Sequence, residues 1–155
     1  MLYNFYEVAP RAQEIHLRKL TAATYRLALP LLAAQYREHD IALAGARLAR
    51  AALKLLDGNG VLLLAGSAGV AALSWQFSLE QAGKIAWLED LYVAPDFRGR
   101  GLGTKLLERA AREARRAGCV SLELEVVRGH ERAAKLYLRE GFTELPRLRY
   151  SRSLR

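Results

Sequence analysis

Hydrophobic residues along this chain change their spacing several times, and each change marks the border of an element. Residues 14–20, EIHLRKL, alternate as a short strand. Residues 21–40 then carry apolar positions at helical spacing, which predicts a helix capped by Thr21 and kinked at Pro30, and residues 41–60 predict a second helix closed by Gly58. Two apolar runs, 61–66 and 69–78, flank the turn signal AGSAG and predict a hairpin. Residues 84–93, KIAWLEDLYV, form a further strand that stops at Pro95. Beyond a glycine-rich stretch, Leu102, Leu106, Leu107, Ala110, Ala114 and Ala117 recur at helical spacing. Lys105, Glu108, Arg109, Arg112, Glu113 and Arg116 take the other side, and Gly118 supplies the stop. The pattern closes with a strand over 120–127, a short helix over 131–140 ended by Gly141, and a strand over 147–154. Strand, two helices, three strands, helix, strand, helix, strand is the order of an α/β chain whose mixed sheet carries helices on both faces.

Length and composition narrow this picture. At 155 residues and 52% hydrophobic content the chain supports one compact domain, 1–155, with residues 1–13 as an N-terminal extension. No charge occurs between Asp57 and Glu80, a span long enough for a membrane helix, but its turn signal and strand alternation point to a hairpin instead. No membrane partner is expected. The N-terminus lacks the basic start and apolar stretch of a signal peptide, and the single cysteine, Cys119, reads as an inert core thiol, so the expected setting is the cytoplasm. Residues 1–97 hold nine Lys/Arg and nine Asp/Glu, whereas 98–155 hold fifteen and seven, so a polyanionic partner would meet the C-terminal part.

That excess begins where the backbone is barest. In APDFRGRGLGTKLL, residues 94–107, a strand runs through a side-chain-poor turn into a helix, which leaves several main-chain N–H groups aligned with the positive end of the helix dipole. Such a junction binds phosphate. Gly99, Gly101 and Gly103 admit an anion close to the backbone, while Arg98 and Arg100 add charge. Two common phosphate motifs fail on spacing. A Walker A loop needs Gly-Lys-Ser/Thr, and here Gly103 is followed by Thr104 and then Lys105; a dinucleotide fingerprint starting at Gly99 needs a glycine where Thr104 stands.

The stretch resembles the acyl-CoA-binding motif of the GCN5-related N-acetyltransferases, in which Arg/Gln is followed after two residues by Gly and, one further on, by Gly/Ala. Arg98, Gly101 and Gly103 match it. The resemblance extends from about residue 60 onward through LEDLYVAPDFRGRGLG, the helix behind it, LELEVV, and RAAKLYLREGF, with some likeness to the polyamine and thialysine branch. It implies an acyl-CoA N-acyltransferase fold, with a mostly antiparallel mixed sheet, and acetyl-CoA as acyl donor. The cofactor-binding set it implies is Leu91, Tyr92, Val93, Arg98, Gly99, Arg100, Gly101, Leu102, Gly103, Thr104 and His130. His130 stands where the family often has Asn, and capping the helix, facing solvent and shuttling protons are all open to it. No metal is called for. Many relatives are dimers, so a homodimer is a further expectation.

Acyl transfer to an amine needs a base, because an alkyl ammonium with a pKa of about 10 is protonated at neutral pH, and a donor to the departing thiolate. Glu89 and Asp90 are two carboxylates inside an otherwise apolar strand, where charge is rarely placed without purpose. Since successive strand residues face opposite sides, one of the two is expected in the cleft. The branch resemblance favours Glu89 as base, with Asp90 in reserve. The family's tyrosine corresponds to Tyr137, and its carbonyl-binding N–H to Val93. Tyr25, Tyr36, Trp75, Phe77 and Trp87 could line an acceptor groove or belong to the core. Together these give an N-acetyltransferase acting on a small-molecule or peptide amine by direct attack in a ternary complex. Two other classes stay in view: a non-catalytic acyl-CoA binder of the same fold, and a basic nucleic-acid-binding module, against which stand the glutamates that interrupt the arginine-rich helix.

Overall fold

The computed structural model describes residues 15–154, so the N-terminal extension lies outside the described residues. Contacts divide the chain after Glu123 into two compact units. The first holds strands β1 (Arg18–Lys19), β2 (Gly60–Ala65), β3 (Gly69–Ser78), β4 (Gly83–Val93) and β5 (Ser121–Glu123), with helices α1 (Leu29–Glu38), α2 (Gly45–Lys54) and α3 (Leu102–Arg116). The second holds helix α4 (Glu131–Arg139).

The five strands form one sheet in the order β1-β2-β3-β4-β5. Every pairing is antiparallel except β4 with β5, which is parallel. The charge-free span 57–80 is therefore the β2–β3 hairpin, and no helix among the described residues is long and apolar enough to cross a membrane. All of β2 from Val61 to Ala65 is buried, because both faces of the sheet are covered. Leu62, Leu64, Val70, Ala72 and Tyr92 join Leu31, Leu32, Leu48 and Ala52 of α1 and α2 in one core. The alternate residues turn to α3. There Gly69 is needed for contact, since a Cβ on it would lie 2.9 Å from both Leu106 Cδ1 and Tyr92 O.

Several local expectations are corrected. Thr21 caps no helix; its N–H donates to Thr24 Oγ1 at 2.9 Å in a turn, a 3-10 helix follows over Tyr25–Ala28, and α1 starts at Leu29. Pro30 accordingly sits in the first turn of α1, where a missing N–H costs nothing, and it starts the helix rather than kinking it. The strand expected over 120–127 shrinks to Ser121–Glu123, the stretch that pairs with Ile85–Trp87, and 147–154 forms no strand among the described residues.

Glu113 is a further correction. Although its helical position suggested the polar side, it is 6% exposed and ringed by Arg109 (2.9 Å), Arg116 (3.1 Å) and Lys19 of β1 (3.7 Å). Burial alone would raise its carboxyl, but the Arg109 hydrogen bond and the three cations outweigh that and hold it below the usual range. A carboxylate depressed on folding contributes stability above its unfolded pKa of about 4.3 and loses it as pH falls through the lower folded value. Glu113→Gln should cost about 2 kcal/mol at pH 7 by urea denaturation, with the difference closing below about pH 4, because its cationic partners keep access to water. An unchanged midpoint at pH 7 would remove the ion cluster from the account of stability.

Candidate active site

The site residues expected from the sequence in the first unit lie on one run of chain, from the middle of β4 into α3. Within β4 the ladder to β3 slips: Ala72 faces Asp90, but Leu73 faces Leu88, so Glu89 is an extra, bulged residue. The bulge changes the sidedness expected of the acidic pair. Asp90 accepts a hydrogen bond from Tyr36 Oη of α1 at 3.0 Å, and Glu89 accepts one from Ser74 Oγ at 2.5 Å. Ser74 lies two residues beyond Ala72, on the face that packs against α1, so both carboxylates share that face rather than opposing each other.

The two groups differ in setting. Glu89 is exposed, whereas burial pushes the Asp90 carboxyl up to about 6, helped by the charge of Glu89 and opposed by the Tyr36 hydrogen bond. Burial and the Asp90 carboxylate also raise the Tyr36 phenol. The five aromatic residues do not share a groove. Tyr25 belongs to the core at 7% exposure, Phe77 is 71% exposed, and Trp75 pairs with Ala86 while Trp87 pairs with Ser74, which puts the two tryptophans on opposite faces. Tyr36 and Trp87 remain on the acidic face.

At the end of β4, Ala94 N–H donates to Ala68 O at 2.9 Å. Inward and outward pairs alternate along an antiparallel ladder, so the N–H groups of Val93 and Leu91 turn away from β3. On that side β5 accompanies β4 only from Ile85 to Trp87. The Val93 carbonyl, turned the same way, accepts Arg98 Nε at 2.8 Å.

The glycine stretch folds as its composition suggested. Gly99 and Gly101 both have φ of +77°, a conformation costly for any residue with a Cβ, and Gly101 is the N-cap of α3. Intrahelical bonding starts with Lys105 N–H to Gly101 O at 3.1 Å, so the N–H groups of Leu102, Gly103 and Thr104 precede it at the positive end of the dipole. A Cβ on Gly101 would meet nothing within 4 Å among the described residues; the space it would enter lies open beside the amides. That is the shape a diphosphate requires.

Two members of the expected cofactor set offer main chain only: the Leu102 side chain is 4% exposed, and Tyr92 is 6% exposed with its Oη donating to Glu38 Oε1 at 2.9 Å. Arg98 is also committed. Its Nη2 donates to both carboxylate oxygens of Glu38, at 2.9 and 2.8 Å, so its charge is matched within the chain and Arg100 is left as the exposed cation of the loop. Neither Ser74 nor Glu38 stood out in the sequence, because a serine in a strand and a glutamate at a helix end are ordinary there.

In the second unit, Tyr137 lies on α4 with its ring edge-on to Phe142, centroids 5.7 Å apart. Burial pushes its phenol up to about 12. His130 is the N-cap residue of α4 and exposed, but its side chain makes no capping hydrogen bond; its carbonyl accepts from Ala133 and Ala134. Burial raises the Cys119 thiol, with Lys84 opposing, so the sulphur is held as a thiol rather than a nucleophilic thiolate.

Comparison with known proteins agrees with this arrangement. Residues 17–142 match the acetyltransferase (GNAT) family. The thialysine N-epsilon-acetyltransferase of Bos taurus is 40% identical over 63 residues, 41% of this chain and 37% of that protein. The aminoalkylphosphonate N-acetyltransferase of Salmonella typhimurium is 38% identical over 76 residues, 49% of each. The matched stretches thus span less than half the length of these relatives. Among solved structures, an integron cassette protein from the mobile metagenome of Cole Harbour Salt Marsh superposes with a TM-score of 0.79 at 26% identity, covering 90% of both chains. AAC(6')-Iy, solved with a bisubstrate analogue built on CoA and acetylneamine, superposes at 0.75 with 19% identity, covering 89% of this chain and 97% of that one, a likeness of fold. With its mixed sheet, its glycine loop at the head of α3 and a family match running over most of its length, this chain belongs to the acetyltransferase (GNAT) family.

Proposed function

We propose that this protein transfers an acetyl group from acetyl-CoA to a primary amine by direct attack in a ternary complex. The observation that carries the reading is the order of groups along residues 89–104: a carboxylate pair, an outward main-chain N–H, then an amide cradle, all held by one strand and the helix it feeds. The amides from Gly99 to Thr104, with Arg100, hold the diphosphate. When bound, acetyl-CoA supplies an activated thioester whose carbonyl takes on negative charge during attack. Val93 N–H stabilises that charge, a role best filled by a donor fixed before the reaction begins.

Glu89, exposed on the α1 face, takes the proton of the acceptor ammonium directly or through water, and Asp90 behind it adds negative charge that draws in a cation. Tyr137 donates a hydrogen bond to the departing thiolate. Full proton transfer from a phenol of pKa about 12 to a thiolate whose acid has a pKa of about 8.5 would be uphill by about 5 kcal/mol, so the tyrosine acts as a donor that keeps its proton. Attack is direct because the one cysteine is a raised, partly buried thiol. The acceptor is cationic, as expected for a face bearing two carboxylates; the relatives named for thialysine and aminoalkylphosphonate acetylation are in keeping with an amine.

Gly101→Val tests the cradle. It forces a β-branched residue into a left-handed conformation costing about 1–2 kcal/mol and fills the space beside the amides. Calorimetry should show acetyl-CoA affinity reduced at least about tenfold; equal affinity of variant and wild type would overturn the cradle. A panel of amines screened for thiol release tests the transfer itself. Acetyl-CoA bound without release under every amine would make this a binding protein, and salt-dependent affinity for DNA with none for acetyl-CoA would make it a nucleic-acid module.

A further inference from the structure

Arg98 matches the first position of the acyl-CoA motif, where a cation would be assigned to the diphosphate, yet its side chain is bound elsewhere. Its Nε donates to the Val93 carbonyl at 2.8 Å, its Nη2 to both oxygens of Glu38 at 2.9 and 2.8 Å, and the guanidinium lies 5.4 Å from the centre of the Tyr92 ring. Tyr92 Oη donates to the same carboxylate at 2.9 Å. Glu38 is the last residue of α1, so this network fastens the end of α1 to the end of β4. Burial would raise the Glu38 carboxyl, but the hydrogen bonds from Arg98 and Tyr92 outweigh it and hold it below the usual range, which keeps it an anion.

From this geometry we infer that Arg98 and Glu38 are a positioning pair for the transfer step, acting through the Val93 main chain rather than on the diphosphate. The peptide between Val93 and Ala94 is gripped from both sides: Arg98 binds its carbonyl, and its N–H donates to Ala68 O at 2.9 Å. With that plane fixed, the orientation of Val93 is fixed, and with it the direction of the Val93 N–H. A planar fork is suited to this task because it reaches a carbonyl and a carboxylate at once in set directions, which a lysine ammonium on a flexible stem cannot do. The same clamp lies two residues along α1 from Tyr36 and two along β4 from Asp90, so α1 meets β4 twice, once at the acidic pair and once at the proposed carbonyl-binding N–H. A donor that drifts by an ångström loses value mainly in the transition state, so the loss falls on kcat.

The inference rests on the acetyltransferase reading, and the test separates the two. Arg98→Lys and Glu38→Gln are each assayed for kcat, for the KM of the amine and, by calorimetry, for acetyl-CoA affinity. Lysine preserves the positive charge that a diphosphate would need, whereas glutamine preserves the shape of Glu38 without its charge. Both variants should lower kcat about tenfold or more while the acetyl-CoA Kd stays within about twofold, and the double variant should lose no more than the worse single one, as coupled residues do. Normal kcat in Arg98→Lys, or a tenfold weaker Kd in Arg98→Ala with Glu38→Gln behaving as wild type, would return Arg98 to the diphosphate and overturn the inference. A shared fall in kcat and unfolding temperature that Glu38→Asp does not separate would also overturn it, by making the pair structural only. Failure of wild type to bind acetyl-CoA or release thiol would instead sink the parent reading.

Discussion

Tyr137→Phe should bind acetyl-CoA as tightly as wild type and turn over about 10²- to 10³-fold more slowly. Only one oxygen is removed, from a ring that keeps its edge-on contact with Phe142, so α4 should fold unchanged. What is lost is the donor we propose, a phenol that burial raises to about 12 and that therefore stays protonated across the working pH range. General acid and hydrogen-bond donors of this kind contribute about two to four powers of ten. Because the loss is confined to the transition state, kcat and kcat/KM should fall by the same factor. A variant that loses acetyl-CoA affinity in step with turnover would show that the hydroxyl serves the fold or the cofactor.

The acidic pair gives the second large effect, and its members should part company. Glu89→Gln should lower kcat/KM for the amine about 10²- to 10³-fold, since it removes the base we propose while leaving an acceptor for Ser74 Oγ. Asp90→Asn should cost activity less, about tenfold, and should gain stability. The sign follows from linkage. A carboxylate raised from 3.8 to about 6 on folding favours the native state only when protonated, so its contribution is fully present below about pH 4 and is lost as pH rises through 6. At pH 7 the buried anion is a burden of order 1–3 kcal/mol, which asparagine removes while still accepting from Tyr36 Oη. The variant should melt several degrees higher than wild type at pH 7, with the gap narrowing as pH falls from 6 to 4. If instead Asp90→Asn suffers the larger loss and abolishes an acidic limb near pH 6 in kcat/KM, the base is Asp90.

Much of this was legible in the chain. The β2–β3 hairpin, β4, α3 and α4 fall where their periods place them, and the strands and α3 have a partner surface that rewards their apolar positions. The elements that failed share a reason. Alternation over 120–127 and 147–154 marks residues able to line a strand, but a strand exists only where a neighbour takes its N–H groups, and β4 supplies that for Ser121–Glu123 alone in the first stretch. Glu113 was misplaced because a helical wheel records which side is polar and not which polar residue is covered by β1. The tight turn at the glycine stretch was legible since positive φ at Gly99 and Gly101 is a demand that backbone sterics impose on residue type.

The sequence by itself determined most of the elements, the glycine turn at the head of α3 and the family, because period, glycine spacing and the order of motifs are local quantities encoded in consecutive residues. Only the tertiary structure decided where the charges point. One bulged residue brings Glu89 and Asp90 to a single face, and Arg98 closes on Glu38, sixty positions earlier, instead of standing ready for phosphate. Such pairings depend on strand register and on how a helix end meets a strand end, and distance along the chain carries no trace of either.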